Sequence, residues 1–133
     1  MRIIDEWPPN IYAIQKAFSL EGKKPVFAYG DVIYNPYALI IPGHLMAHEE
    51  VHGKQQGAFD GGADAWWALY IQDKDFRLSQ ELEAYRMQYN CFKKTNNDRN
   101  EVARFLHYII CDISGSMYGN MIGYQEAFDL IKK

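Results

Sequence analysis

The 133-residue sequence predicts an α+β fold, mostly helical, with a small N-terminal β-sheet packed on the helix that carries His48 and His52. Three observations predict it. Apolar residues recur at helical spacing in successive segments between Ile11 and Ile131. β-favouring residues concentrate in Val26-Phe-Ala-Tyr29 and Val32-Ile-Tyr34, on either side of Gly30-Asp31. No repeat, low-complexity stretch or linker interrupts the chain, and 48% hydrophobic with 23% charged residues is ordinary for a globular domain, so residues 1–133 read as one domain.

Each element has its own justification. Pro8-Pro9-Asn10 precedes Ile11 to Phe18, where Ile11, Ile14 and Phe18 share a helical face and Asn10 stands at the N-cap position. Glu21 to Pro25 is a turn. The two β-rich runs then form a hairpin-like pair, Asn35-Pro36 ends it, and Ala38 to Ile41 reads as a further extended piece before Pro42-Gly43. Gly43 to Gln56 is helical, with Leu45, His48 and His52 near one face, until Gly57 to Gly62 breaks it. Ala63 to Ile71 is an aromatic-rich helix containing Trp66 and Trp67. Arg77 to Lys93 is strongly amphipathic, with Leu78, Leu82, Tyr85, Tyr89 and Phe92 in one apolar stripe. Asn96 to Asn100 is a polar break, in which Asp98 and Glu101 have capping-box spacing before Val102 to Ile113, read as a buried helix. Ser114 to Asn120 is a loop, and Gln125 to Ile131 is the closing helix.

Composition excludes several functions. A net charge of −3, a pI near 5.8 and no cluster of Lys and Arg argue against nucleic acid as a partner. The longest apolar runs, such as Tyr37 to Ile41, are far short of the roughly 20 residues that cross a bilayer, so no membrane insertion is expected. The opening MRIIDEWPPN lacks the basic and apolar regions of a signal peptide, which predicts a cytoplasmic protein. Cys91 and Cys111 form no CxxC pair and read as structural thiols.

The chemistry concentrates in His48-Glu49-Glu50-Val51-His52. Histidines at i and i+4 leave the same face of a helix and can share one metal ion. Zinc suits two imidazoles and a carboxylate with a fourth position left to water, whose pKa it lowers to about 7. Glu49 then stands beside the metal, placed to take a proton from that water. The third ligand is sought in Gln80-Glu81-Leu82-Glu83-Ala84-Tyr85. At 100° per residue Glu81 lies on the edge of the apolar stripe, whereas Glu83 is nearly opposite it, so Glu81 is the expected ligand.

These residues resemble a family. HExxH followed by a Glu on a later helix is the gluzincin pattern of zinc metallopeptidases, whose second motif often reads Glu-x-x-Ala, as Glu81-Leu82-Glu83-Ala84 does. The ordered set Gly30 to Asn35, His48 to His52 with Gln55-Gln56, Trp66-Trp67, Glu81 to Tyr85 and Ser116-Met-Tyr-Gly-Asn120 is also similar to small metallopeptidase-like proteins of tailed bacteriophages. The resemblance spans about Pro25 to Ile131. It implies a minimal metallopeptidase domain, and a host-cytoplasmic one if phage-encoded. It departs from gluzincins at Tyr85, where many place an Asp, which leaves the partner of a metal-bound histidine unassigned.

The expectation is therefore a zinc-dependent hydrolase with one Zn2+ per chain, held by His48, His52 and Glu81, with Glu49 as general base and a peptide or protein as substrate. Tyr118 either donates to the oxyanion, a role gluzincins usually give to a Tyr or His, or packs a turn. His44 reads as a first-turn residue or a third imidazole, His107 as a core histidine bonded to backbone, and Gln55 and Gln56 as substrate contacts or helix-end residues. Two other functions share the motif: a non-catalytic binding protein braced by structural zinc, and a cell-wall amidase. The retained Glu49 argues against the first, because a structural zinc takes four protein ligands and needs no base.

Overall fold

A computed structural model describes residues 1–133. Helices dominate: α1 Ile11–Ala17, α2 Gly43–Ala58, α3 Gly62–Gln72, α4 Lys74–Lys94, α5 Arg99–Ile113 and α6 Tyr124–Lys132, with a 3-10 turn at Ser116–Tyr118. The strands β1 Arg2–Ile4, β2 Phe27–Tyr29 and β3 Val32–Tyr34 form one sheet in the order β1-β3-β2. The fold is α+β, as expected. The hairpin pairs β2 with β3, Ala28 opposite Ile33, and β1 adds in parallel to the other side of β3. Sequence reading missed β1, because three residues offer too little periodicity to register.

β2 is the strand beside α2. The approach is close at Gly53, where a Cβ would stand 2.9 Å from the Met1 methyl and 3.1 Å from the Gly30 carbonyl oxygen. Gln56, fully buried, ties helix to hairpin: its Oε1 accepts from Gly30 N–H at 2.6 Å and its Nε2 donates to the Ala28 carbonyl at 2.9 Å. Gln56 thus stands in the last turn of α2, its carbonyl accepting the capping N–H of Phe59, while its side chain is committed to the hairpin and not free for a substrate.

Two apolar clusters flank α4. One joins Tyr85 and Tyr89 to Leu106, Ile109, Ile110 and Ile113 of α5 and to Ala127 and Ile131 of α6. The other gathers Ile14, Phe27, Trp66, Trp67 and Tyr70. Between them the inward face of α4 carries Arg77, Glu81, Ala84, Tyr85 and Gln88, so its most buried stripe is partly polar and Glu81 lies within it rather than on its edge. Burial of that kind needs specific partners, and α2 supplies several of them.

Several expectations are corrected. Asn10 precedes α1 but makes no capping bond, and both its side-chain polar atoms are buried without a partner. Ala38 to Ile41 is not a strand. Ala38 has φ +50°, and the Asn35 amide clasps Leu39 through both its N–H and its carbonyl oxygen, making a loop. α4 begins at Lys74 because Asp73 caps it, accepting from the N–H groups of Asp75 and Phe76. Asp98 caps α5 in the same way, but Glu101 turns to Arg104 instead of closing a capping box. α5 is buried on one face only, with Tyr108 62% exposed on the other. His107 is likewise exposed, its Nδ1 hydrogen-bonded to the Tyr124 hydroxyl at 2.7 Å, so it is no core histidine. Cys91 and Cys111 are free. No helix is long and apolar enough to cross a membrane.

Candidate metal centre

α2 and α4 pack face to face, and their facing residues build the centre. One helical turn separates His48 from His52, so both rings leave α2 on its α4 side, with centroids 4.9 Å apart. Tyr85 covers the His48 ring at 4.5 Å and Trp66 the His52 ring at 5.4 Å, closing both from water. His48, Glu49, His52 and Glu81 are each 5% exposed or less.

Glu81 meets both rings. Its Oε1 lies 3.2 Å from His48 Nε2 and 3.2 Å from His52 Nε2. Ligands about 2.0–2.1 Å from a tetrahedral zinc stand about 3.3–3.4 Å from one another, so Glu81 Oε1 is spaced from each ring nitrogen as two ligands of one ion would be. Glu49 is set back, with Oε2 3.9 Å from His48 Nε2. His48, Glu49 and His52 form a buried group able to hold a metal ion, their ligand atoms within 4.8 Å of one another.

The hydrogen bonds define what the centre can hold. Gln55 Nε2 donates to the Gln80 carbonyl and to Glu83 Oε1, both acceptors only, so its Oε1 must be the atom that faces His52 Nδ1 at 2.8 Å. His52 Nδ1 therefore carries hydrogen. Gln88 does the same for His48: its Oε1 accepts at 2.9 Å while its Nε2 bonds His44 Nδ1 at 3.0 Å. In the neutral rings both Nε2 lone pairs then point at a carboxylate oxygen. Three electron-rich atoms converging in a dry site need a cation, either a proton or a metal ion.

Without metal the proton takes that place. Burial alone would lower His52, but the Glu81 carboxylate outweighs it and holds the ring at about 9. Burial would raise Glu81, and the His52 and His48 rings instead hold it well below the usual carboxylate range. Its second oxygen accepts from the Tyr70 hydroxyl at 2.5 Å. Burial and the Glu81 charge keep Tyr70 well above its ordinary value, hence a permanent donor. For Glu49 burial is the largest influence and raises the carboxyl, with His48 and His52 opposing.

Tyr118 reaches the same pocket from the 3-10 turn. Its hydroxyl bonds that of Tyr85 at 2.9 Å, and Tyr85 also donates to Asp112 at 3.2 Å. Burial raises both tyrosines well above 10, so both hydroxyls stay protonated. Arg77 positions the turn. Buried without a carboxylate partner, it donates to the carbonyls of Tyr70, Ile71 and Tyr118 at 2.9, 2.9 and 3.0 Å.

Every residue expected at the site is therefore in or beside it. Glu83 is exposed and touches only Gln55, as the stripe argument required. His44 is no third imidazole: it packs against Phe92 and Phe105 and bonds Gln88. Gln55 is a second partner of His52 rather than a substrate contact. Sequence reasoning missed Gln88, Tyr70 and Arg77. Gln88 was within reach, since it lies seven residues after Glu81 and so on the same face of α4. Comparison of the chain with protein-family models, with curated proteins and with solved structures finds no match.

Proposed function

We propose that this chain is a zinc-dependent hydrolase of peptide or amide bonds. The observation that carries the reading is the meeting of His48 Nε2 and His52 Nε2 on Glu81 Oε1 at 3.2 Å, with the Glu49 carboxylate set back behind them. His48, His52 and Glu81 would hold the ion. Zinc fits that donor set of two imidazoles and a carboxylate, and when bound it acidifies a water and polarises the substrate carbonyl.

The chain's own groups do the rest. Glu49 accepts the proton of the attacking water and passes it to the leaving amine, which a carboxyl raised by burial does more readily than an exposed one. Tyr118, protonated at any physiological pH, donates to Tyr85 in the resting site and would support the developing oxyanion by turning its hydroxyl away from Tyr85. Gln55 and Gln88 hold the imidazoles in the ligating tautomer, and Tyr70 holds the carboxylate.

Metal analysis of protein purified without added metal tests the reading, with one zinc per chain expected. Glu49→Gln should then keep that zinc while hydrolysis of a quenched-fluorescent peptide library falls by about 10²- to 10⁴-fold. A chain that takes up no zinc and gains no thermal stability from it refutes the assignment.

A further inference from the structure

Away from the metal centre, a groove of about 530 Å³ opens where the end of α4, the start of α5 and α6 meet. Lys93 lies on α4 about 18 Å beyond Glu81, and the groove shares no lining residue with the pocket at the centre. The floor is apolar: Tyr89 and Leu106 are buried, and Val102 and Phe128 half-buried. The rim is cationic. Lys93, Arg99 and Lys132 are exposed there, and no Asp or Glu lines the groove.

These cations have no counter-charge. None of the three forms an ion pair, and the acids next to them along the chain are engaged elsewhere. Asp98 caps α5, Glu101 pairs with Arg104, and Asp129 accepts from Gln125 Nε2 at 3.0 Å. Lys93 Nζ stands 4.5 Å from the Tyr89 ring centroid and Lys132 Nζ 5.1 Å from that of Phe128, which holds both ammonium heads over the floor. The chain as a whole carries −3, so the positive potential belongs to this groove and not to the surface at large.

A cationic rim around an apolar floor complements carboxylates flanking a bulky apolar side chain. Two other anions fit worse. Nucleic-acid bases stack on open ring faces, and the lysines already cover Tyr89 and Phe128. An anionic bilayer surface is flat on this scale and cannot follow a concave groove.

We propose that this groove docks an acidic peptide segment of a partner protein, one or two bulky apolar residues flanked by Asp or Glu. The apolar residues cover Leu106 and Phe128, and the carboxylates meet Lys93, Arg99 and Lys132. Docking needs neither the metal nor hydrolysis.

The whole chain, kept in chelator, is titrated against fluorescein-labelled Asp-Glu-Phe-Leu-Glu-Asp, with binding read by fluorescence anisotropy and located by backbone ¹⁵N NMR. Signals of Asn97, Val102 and Ala103 should shift, while the indole N–H signals of Trp66 and Trp67 at the metal centre stay still. Replacing the peptide's acids by Asn and Gln, or its Phe and Leu by Ala, should each weaken binding by about 10-fold. Raising salt from about 0.05 to 0.5 M should weaken the acidic peptide and leave the uncharged one unaffected. In the protein, Lys93→Gln combined with Lys132→Gln, and separately Ala103→Glu at an exposed lining position, should each weaken binding by about 5-fold with the chain still folded by circular dichroism. No binding of the acidic peptide, equal affinity for its uncharged or Lys-flanked counterpart, shifts confined to the metal centre, or indifference to both variants overturns the proposal. Tighter binding of an oligothymidylate or of phosphatidylserine vesicles, with the same groove signals shifting, overturns it in favour of a phosphate ligand.

Discussion

Replacing Glu81 by Gln keeps the shape of the side chain and removes its charge, which separates the two roles the structure gives it. In metal-free protein Glu81 holds His52 at about 9, against about 6.5 in an unfolded chain. A shift of that size corresponds to about 3 kcal/mol of stabilisation of the charged ring. A raised histidine contributes this below pH 6.5 and loses it as pH climbs to about 9. The same ion pair depresses the Glu81 carboxyl, so its stabilisation is also lost as pH falls below about 4.5, and at high pH it disappears together with the His52 charge. Metal-free wild type should therefore be most stable between about pH 4.5 and 6.5. Glu81→Gln should melt about 10 °C lower at pH 6, taking roughly 2.1 cal/mol/K per residue for the unfolding entropy, and the gap should nearly close by pH 9.5. Zinc reverses the trend in wild type, since the ion competes with the proton and binds more tightly as pH rises. The variant should lose zinc affinity by more than the roughly 10- to 100-fold typical of removing a residue behind a ligand. Thermal denaturation followed by circular dichroism in chelator at pH 6 and pH 9.5, with zinc titrations alongside, measures both. An equal loss at the two pH values, or undiminished zinc affinity, refutes the assignment of Glu81.

Other perturbations separate neighbouring roles. Glu83→Gln removes an exposed carboxylate that touches only Gln55, and stability and zinc affinity should stay within about 0.5 kcal/mol of wild type in parallel titrations. Gln88→Leu and Gln55→Leu leave the ligands in place but free their tautomers, so each should weaken zinc by about 10- to 100-fold, and retention of wild-type affinity would show that these amides do not orient the rings. Arg77→Met strands three carbonyl acceptors, at about 1–3 kcal/mol each, and should lower the urea midpoint well beyond an ordinary surface change.

The local part of this protein was legible from its residues alone. Histidines four apart on a helix share a face whatever the helix packs against, so the pairing of His48 with His52 follows from helical geometry. The same periodicity set Glu81 inward and Glu83 outward, and Gly30-Asp31 between two β-rich runs announced the hairpin. Tertiary structure decided what depends on contact between distant segments. Three-residue β1 exists because β3 offers it an edge. Tyr70 becomes a partner of Glu81 because α3 packs on α4, and Gln88 a partner of His48 because α4 packs on α2. Arg77, Gln56 and Gln88 carry polar side chains whose residue type assigns them to water, yet burial has given each a specific set of partners. A sequence pattern registers the average preference of a residue type for the interior, whereas a buried polar group is held there by individual hydrogen bonds that only the assembled fold supplies.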